Sequence, residues 1–91
     1  MSPKTVHHDP TNQRFEIAHE DIKAVAEYEM EGDRMIFTHT FVPETLRGHG
    51  LAADLVRTGL EFARSEKKKV LPRCSYVEVY LKRHPEFGDL L

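Results

Sequence analysis

The sequence predicts an α+β (mixed α/β) domain in which an antiparallel three-strand meander feeds a helix, a parallel strand and a second helix. Three observations carry this. Residues 14–42 hold two segments whose apolar side chains recur at every second position and a third rich in β-formers, residues 50–66 hold an apolar stripe at helical spacing, and the short extended run after that stripe leads into a helix-opening serine.

In the first segment, Arg14 to His19, Phe15 and Ile17 share one face while Arg14 and Glu16 take the other, the pattern of a half-buried strand. The second is longer: Ile22, Ala24, Ala26, Tyr28 and Met30 alternate with Lys23, Val25, Glu27 and Glu29, and the run stops at the turn-like "EGD". "MIFTHTFV", Met35 to Val42, is rich in β-formers and follows that short turn, so it completes the meander. Pro43 then removes a ladder donor and ends the pairing.

From Gly50 to about Glu66, Leu51, Leu55 and Phe62, flanked by Ala52, Val56, Leu60 and Ala63, keep one helical side apolar, opposite Asp54, Arg57, Glu61 and Arg64. "KKKVLPRC" resumes an extended run around Val70 and Leu71, and the strand–helix–strand order places it parallel beside the third strand. "SYVE" reads as a capping box, with Ser75 as N-cap and Glu78 three residues on, opening a helix that Pro85 halts near His84. "HPEF" is a helix stop, with Phe87 folding back onto the core.

Ninety-one residues fit one domain, read here as a flexible lead-in over residues 1–13 and a single folded unit over 14–91. The composition, 40% hydrophobic and 31% charged with net charge -2, is that of an ordinary globular protein and gives no electrostatic footprint for nucleic acid or anionic membrane. Cys74 is the only cysteine, so no intramolecular disulfide forms and a reducing, cytoplasmic setting is expected. No signal-peptide pattern and no run of eighteen apolar residues occurs. "HHDP" at residues 7–10 reads as a solvated tail rather than a metal site, and "EKKK" at 66–69 as a solvated helix end whose cations complement the dipole. A sheet left short at one edge fits a monomer or a weak homodimer.

The informative stretch is "FVPETLRGHGLAADLV", where a strand passes into a helix through Arg47, Gly48, His49 and Gly50. Backbone amides at a helix start suit an anion, bare glycines let a phosphate approach them, and Arg47 can add a charge-assisted contact. The plain alternative is that the glycines only make a tight turn. A Walker A loop needs Lys and Ser or Thr after its second glycine, and "GHGLAA" has neither. It does match the relaxed dinucleotide pattern G-x-G-x-x-A, but the strand that follows, "VLPRC", brings no acid and no further βαβ unit.

Arg47, Gly50 and Ala52 satisfy Q/R-x-x-G-x-G/A, placed between a strand and a helix, and in this the segment resembles the acetyl-CoA-binding loop of the GNAT superfamily of N-acetyltransferases. "VYLKRHPEF" resembles that superfamily's later helix, in which a tyrosine is followed by charged residues and an aromatic. With the meander, the resemblance covers roughly residues 14 to 91 and is nearest to the miniature single-domain branch, which carries a cysteine after its last strand, as Cys74 does here. Relatives of full length add helices before the meander and strands after the last helix, which usually build the acceptor site; this sequence shows no counterpart of either.

The resemblance implies acetyl-CoA as cosubstrate, a small amine or a protein lysine as acceptor, and no metal. It further implies that the third strand and the parallel strand splay, that the backbone of Phe41 and Val42 bonds the pantetheine arm, and that the pyrophosphate sits on Arg47, Gly48, His49, Gly50, Leu51 and Ala52. Three side chains suit the chemistry. His39 has the titration range of a general base, or is a histidine held in the sheet. Tyr80 falls where the superfamily commonly has a tyrosine that protonates the CoA sulfur, or is an ordinary helix-face aromatic. Cys74, at a helix start with Arg73 adjacent, is placed for a thiolate nucleophile that would carry the acetyl group, or is an inert small core residue; direct transfer is the default. The competing functions are a module that holds CoA or acyl-CoA without catalysis and a non-enzymatic interaction protein.

Overall fold

A computed structural model describes residues 5–91 of the chain. Five strands form one sheet in sequence order: β1 (His7–Asp9), β2 (Arg14–His19), β3 (Ile22–Glu31), β4 (Arg34–Phe41) and β5 (Lys69–Pro72). The first four pair antiparallel, and β5 returns parallel to β4 after the crossover helix α1 (Leu51–Ser65). Helix α2 (Ser75–Arg83) and a 3₁₀ segment at Pro85–Leu90 complete the order. The mixed α+β architecture is the one the alternation and the helical stripe predict.

All the helical segments sit on one face of the sheet. Phe15 and Ile17 from β2, Ala24, Ala26 and Tyr28 from β3 and Met35 and Phe37 from β4 form one core with Leu55, Val56, Leu60 and Ala63 of α1 and Val77, Tyr80 and Leu81 of α2. Phe87 and Leu90 fold onto the same core, and the Arg64 guanidinium lies 5.0 Å over the Phe87 ring. The opposite face has no helix among the described residues. It carries Glu16, only 7% exposed, which accepts from Arg14 Nε at 2.7 Å and Lys23 Nζ at 3.1 Å. Burial pushes the Glu16 carboxyl upward in pKa, but the two donated hydrogen bonds outweigh it and leave the group below the usual carboxylate range.

The lead-in differs from the expectation. Residues 7–9 form β1, paired His7 to Glu16, His8 to Phe15 and Asp9 to Arg14, while residues 1–4 of the expected lead-in lie outside the described residues. Asp9 builds the turn: its carboxylate accepts from Asn12 N–H at 3.2 Å and from Asn12 Nδ2 at 2.9 Å. "DPTN" therefore carried a hairpin signal of the Asx type that a reading for metal passes over. His8 is no solvated tail residue. Its ring stacks on Phe15 at 4.2 Å, meets Phe62 edge-on at 4.5 Å and bonds Tyr28 Oη through Nε2 at 2.5 Å.

Burial against these rings lowers the His8 pKa below its ordinary 6.5, the neighbouring Asp9 opposing the shift. The unfolded chain then binds the extra proton first, so the contribution of neutral His8 to stability is complete above about pH 6.5 and is lost as the pH falls toward the folded value. Tm should accordingly drop more between pH 7.5 and 5.5 in the native chain than in His8→Phe. Equal drops, measured by calorimetry, would remove His8 as a source of acid sensitivity.

The Ser75 N-cap is also corrected. Cys74 holds the extended cap conformation (φ -79, ψ 128) and its carbonyl accepts the first helical bond, from Glu78 N–H at 3.1 Å. Ser75 is already the first helical residue, so the capping box is shifted out of register and no side chain caps this end.

Candidate functional site

The site begins where the sheet opens. β4 and β5 pair only from Arg34/Lys69 to Phe37/Pro72. Pro72 has no N–H with which to continue the ladder, and the next two amides, of Arg73 and Cys74, both turn to the Phe37 carbonyl at 3.0 Å. From Thr38 onward β4 has no strand partner on that side among the described residues, so a strip of main chain faces a gap bounded by the start of α2.

A β-bulge lies at the same point. The β3–β4 register steps from Tyr28 opposite Phe37 to Glu27 opposite His39, leaving Thr38 as the extra residue. Its Oγ1 donates to the Glu27 carbonyl at 3.3 Å. An extra residue reverses the alternation beyond it. Met35 and Phe37 point into the core, but past the bulge it is Thr40, opposite the buried Ala26, that faces the helices. His39 and Phe41 are turned to the open face. The Cys74 thiol, half-buried beside the core, lies 3.3 Å from Thr40 Oγ1. The gap thus has Cys74 and Thr40 on its helical side and His39 and Phe41 on its open side.

The loop after β4 is held at three points. Pro43 starts a 3₁₀ turn at Glu44–Leu46, the Leu46 side chain is buried, and Arg47 Nε donates to the Val42 carbonyl at 3.0 Å. Gly48 (φ +86) and Gly50 (φ +73) are both left-handed, conformations that favour glycine. Gly50 is the N-cap of α1 and no side chain caps it. The first α1 bond, Asp54 N–H to the Gly50 carbonyl at 3.1 Å, leaves the amides from Gly48 to Ala53 with no backbone acceptor among the described residues. The Arg47 amide, by contrast, is engaged with the Glu44 carbonyl at 3.2 Å. The run of open donors therefore starts at Gly48, one position later than expected. Asp54 in the first turn opposes an anion by charge, but its carboxylate accepts from Arg57 Nη2 at 3.2 Å.

A diphosphate fits this loop: six consecutive amides are open, and two residues lack the Cβ that would stand between them and an anion. An extended amide-bearing arm fits the unpaired edge of β4 beside Phe41 and Val42. These features join end to end, because the loop grows directly from the splayed strand.

A family model described as GCN5-related N-acetyl-transferase matches residues 14–90. The chain belongs to that family. Among relatives of this N-acetyltransferase, Protein NATD1 of Homo sapiens is 34% identical over 88 residues, spanning 91% of this chain and 76% of the relative. Protein NATD1 of Mus musculus is also 34% identical, over 91% of this chain and 78% of its own length. The solution structure of a GCN5-like protein from Staphylococcus aureus superposes with a TM-score of 0.78 at 22% identity, covering 99% of this chain and 89% of the other, a likeness of fold. The chain is thus a small enzyme of the acetyltransferase class.

The Tyr80 ring stacks on His84 at 3.9 Å and nears Phe87. Burial raises its phenol pKa, with Arg57 of α1 opposing the rise. No hydrogen bond joins Tyr80 to Cys74 or His39 among the described residues. Two contributors escaped the sequence reading. Thr40 was hidden in a segment of β-formers on both faces, where only the bulge decides its side. Leu46 was hidden in a loop, although an isolated leucine between Pro43 and Gly48 is a signal of an anchored turn. A cavity of about 250 Å³ lined by Arg64, Lys67, Lys68, Lys69, Asp89 and Leu90 is at the other end of α1 from the glycine loop. Arg64 there binds Asp89, Lys68 the Gly32 carbonyl and Lys69 the Asp89 carbonyl. No helix among the described residues is long and apolar enough to cross a membrane.

Proposed function

We propose that the chain transfers the acetyl group of acetyl-CoA to a primary amine within a ternary complex. The observation that carries this is the continuity of the open amides at residues 48–53 with the unpaired edge of β4. On this reading the Gly48–Ala53 amides and the Arg47 guanidinium take the pyrophosphate. The main chain of Phe41 and Val42 takes the pantetheine arm, which brings the thioester to the gap between His39 and Cys74.

His39 acts as general base from the open face. Removal of a proton from the bound ammonium ion frees the nitrogen lone pair, which attacks the thioester carbonyl carbon. The C–N bond forms, the C–S bond breaks, and the CoA thiolate takes up a proton. Positioned acid and base groups each contribute about 10² to 10⁴ to such a step. Thr40 Oγ1 beside Sγ holds the Cys74 thiol toward the gap, where it serves either as packing beside the thioester or as a transient acetyl carrier.

Acetyl-CoA at about 100 times its Kd should add roughly 2.7 kcal/mol of stability, visible as a thermal shift. No shift would sink the reading. A shift without amine-dependent thiol release, in the native chain as in His39→Ala, would instead assign a CoA-binding module. Intact-mass analysis after incubation with acetyl-CoA separates the two roles of Cys74: a gain of one acetyl group that is discharged on adding amine and is absent in Cys74→Ala marks a carrier, and an unmodified chain marks direct transfer.

A further inference from the structure

The open face of the sheet carries a carboxylate that the reaction above does not use. The bulge at Thr38 turns His39 and Phe41 onto this face, and the register puts Glu27 directly beside His39 and Val25 beside Phe41. Direct antiparallel neighbours on one face have Cβ atoms about 4.5–5.5 Å apart. On its other side Glu27 lies opposite Arg14, but Arg14 is drawn to Glu16, as is Lys23. The Glu27 carboxylate, on a half-buried residue, consequently has no side-chain hydrogen bond or ion pair among the described residues. The next acid along, Glu29, is exposed and stands opposite Ile36, before the bulge and away from the splayed edge. Phe41 is 45% exposed, and its ring lies parallel to His39 at 11° with centroids 6.4 Å apart.

We propose that Glu27, His39 and Phe41 form the acceptor subsite and that it selects a primary alkylamine in its ammonium form. The proposal rests on the acetyl-transfer reading for its place in the reaction. The Glu27 carboxylate draws in the ammonium ion, and the exposed Phe41 ring covers the methylene stem with a cation–π contribution. The neighbouring imidazole of His39 accepts the proton that must leave before nitrogen can attack. One N–H proton passes to His39 and on to solvent; the second, released as the amide forms, goes to the departing thiolate. An arylamine, uncharged at neutral pH, gains nothing from Glu27, so charge at nitrogen is what the subsite discriminates.

The test has two arms on the full chain. Butylamine, or a short lysine-containing peptide, is titrated at pH 7 while the ring resonances of His39 and Phe41 are followed. Saturable shifts are expected, weakened about tenfold or more in Glu27→Gln; no shift with either probe overturns the proposal whether or not the chain turns over. A response to butylamine assigns a small free amine, and a response to the peptide alone assigns a protein side chain. In the second arm, acetyl transfer is compared for butylamine and aniline. The ratio of kcat/KM for the two should fall about tenfold in Glu27→Gln, whereas equal loss on both would mean a structural role and overturn the assignment. Ring shifts without transfer to any amine would instead remove the transferase reading and leave the ammonium site standing.

Discussion

Gly59→Val is expected to be strongly destabilising. Gly59 sits in the interior of α1, where helix propensity alone would favour almost any other residue. A Cβ there would stand 2.8 and 2.9 Å from Cε2 and Cζ of Phe37 and 3.3 Å from Cε1 of Phe15. Both rings are essentially unexposed, so neither can swing aside into solvent. Overpacking of this kind costs about 3 kcal/mol, and each kcal/mol moves the Tm of a domain of this size by roughly 4–8 °C. A fall in Tm of more than about 10 °C is therefore expected. Gly59→Ala should lose less, since the relief of helix propensity offsets part of the clash, and in a Phe37→Leu background its penalty should largely vanish. A native-like Tm for Gly59→Val would show that the Phe37 ring yields freely.

The largest effect on cofactor binding is expected at Gly50. A β-branched side chain at φ +73 is strained by itself, and either the loop relaxes out of that conformation or the side chain stands in front of the amides. Charge-assisted hydrogen bonds contribute about 1.5–3 kcal/mol each. Loss of one or two of them predicts that Gly50→Val weakens CoA binding about 10- to 100-fold or more by calorimetry. Arg47→Ala should weaken it less, because that side chain also braces the loop through the Val42 carbonyl. Equal affinity in native chain and Gly50→Val would count against a diphosphate at this loop.

The parts of the fold that could be read from the sequence are those where one periodicity dominates. β3 is such a case, with Ala24, Ala26 and Tyr28 buried at every second position, and so is α1, where Leu51, Leu55, Val56, Leu60 and Ala63 of the predicted stripe are buried, Ala52 and Phe62 are half-buried, and Gly59 joins them. β1 was not legible, because three residues carry no periodicity and their strand character comes from the Asp9–Asn12 turn and the aromatic seat of His8. The N-cap of α2 was misplaced by one residue. Ser75 has the better capping side chain, but the pull of the Arg73 and Cys74 amides to the Phe37 carbonyl fixes where the chain turns.

The candidate site divides in the same way. The glycine loop was readable because its glycines answer a backbone demand, and both proved left-handed. The sidedness of His39 was not, since "MIFTHTFV" is compatible with either phase and the extra residue at Thr38 belongs to the pairing with β3 rather than to the segment. Glu27 was read only as the outward half of an alternation. What distinguishes it from Glu29 is the partner strand: one acid faces an imidazole at an open edge, the other an isoleucine in a closed ladder.

The splayed edge of β4 has a consequence for how such a chain can diverge. Its contacting atoms are peptide nitrogens and oxygens, common to every residue but proline, so replacing side chains along it leaves that surface chemically the same. On the acceptor site proposed above, selectivity for the second reactant rests instead on the side chains of Glu27, His39 and Phe41 on the uncovered face. Drift in this lineage should therefore alter which nucleophile is served long before it alters the donor.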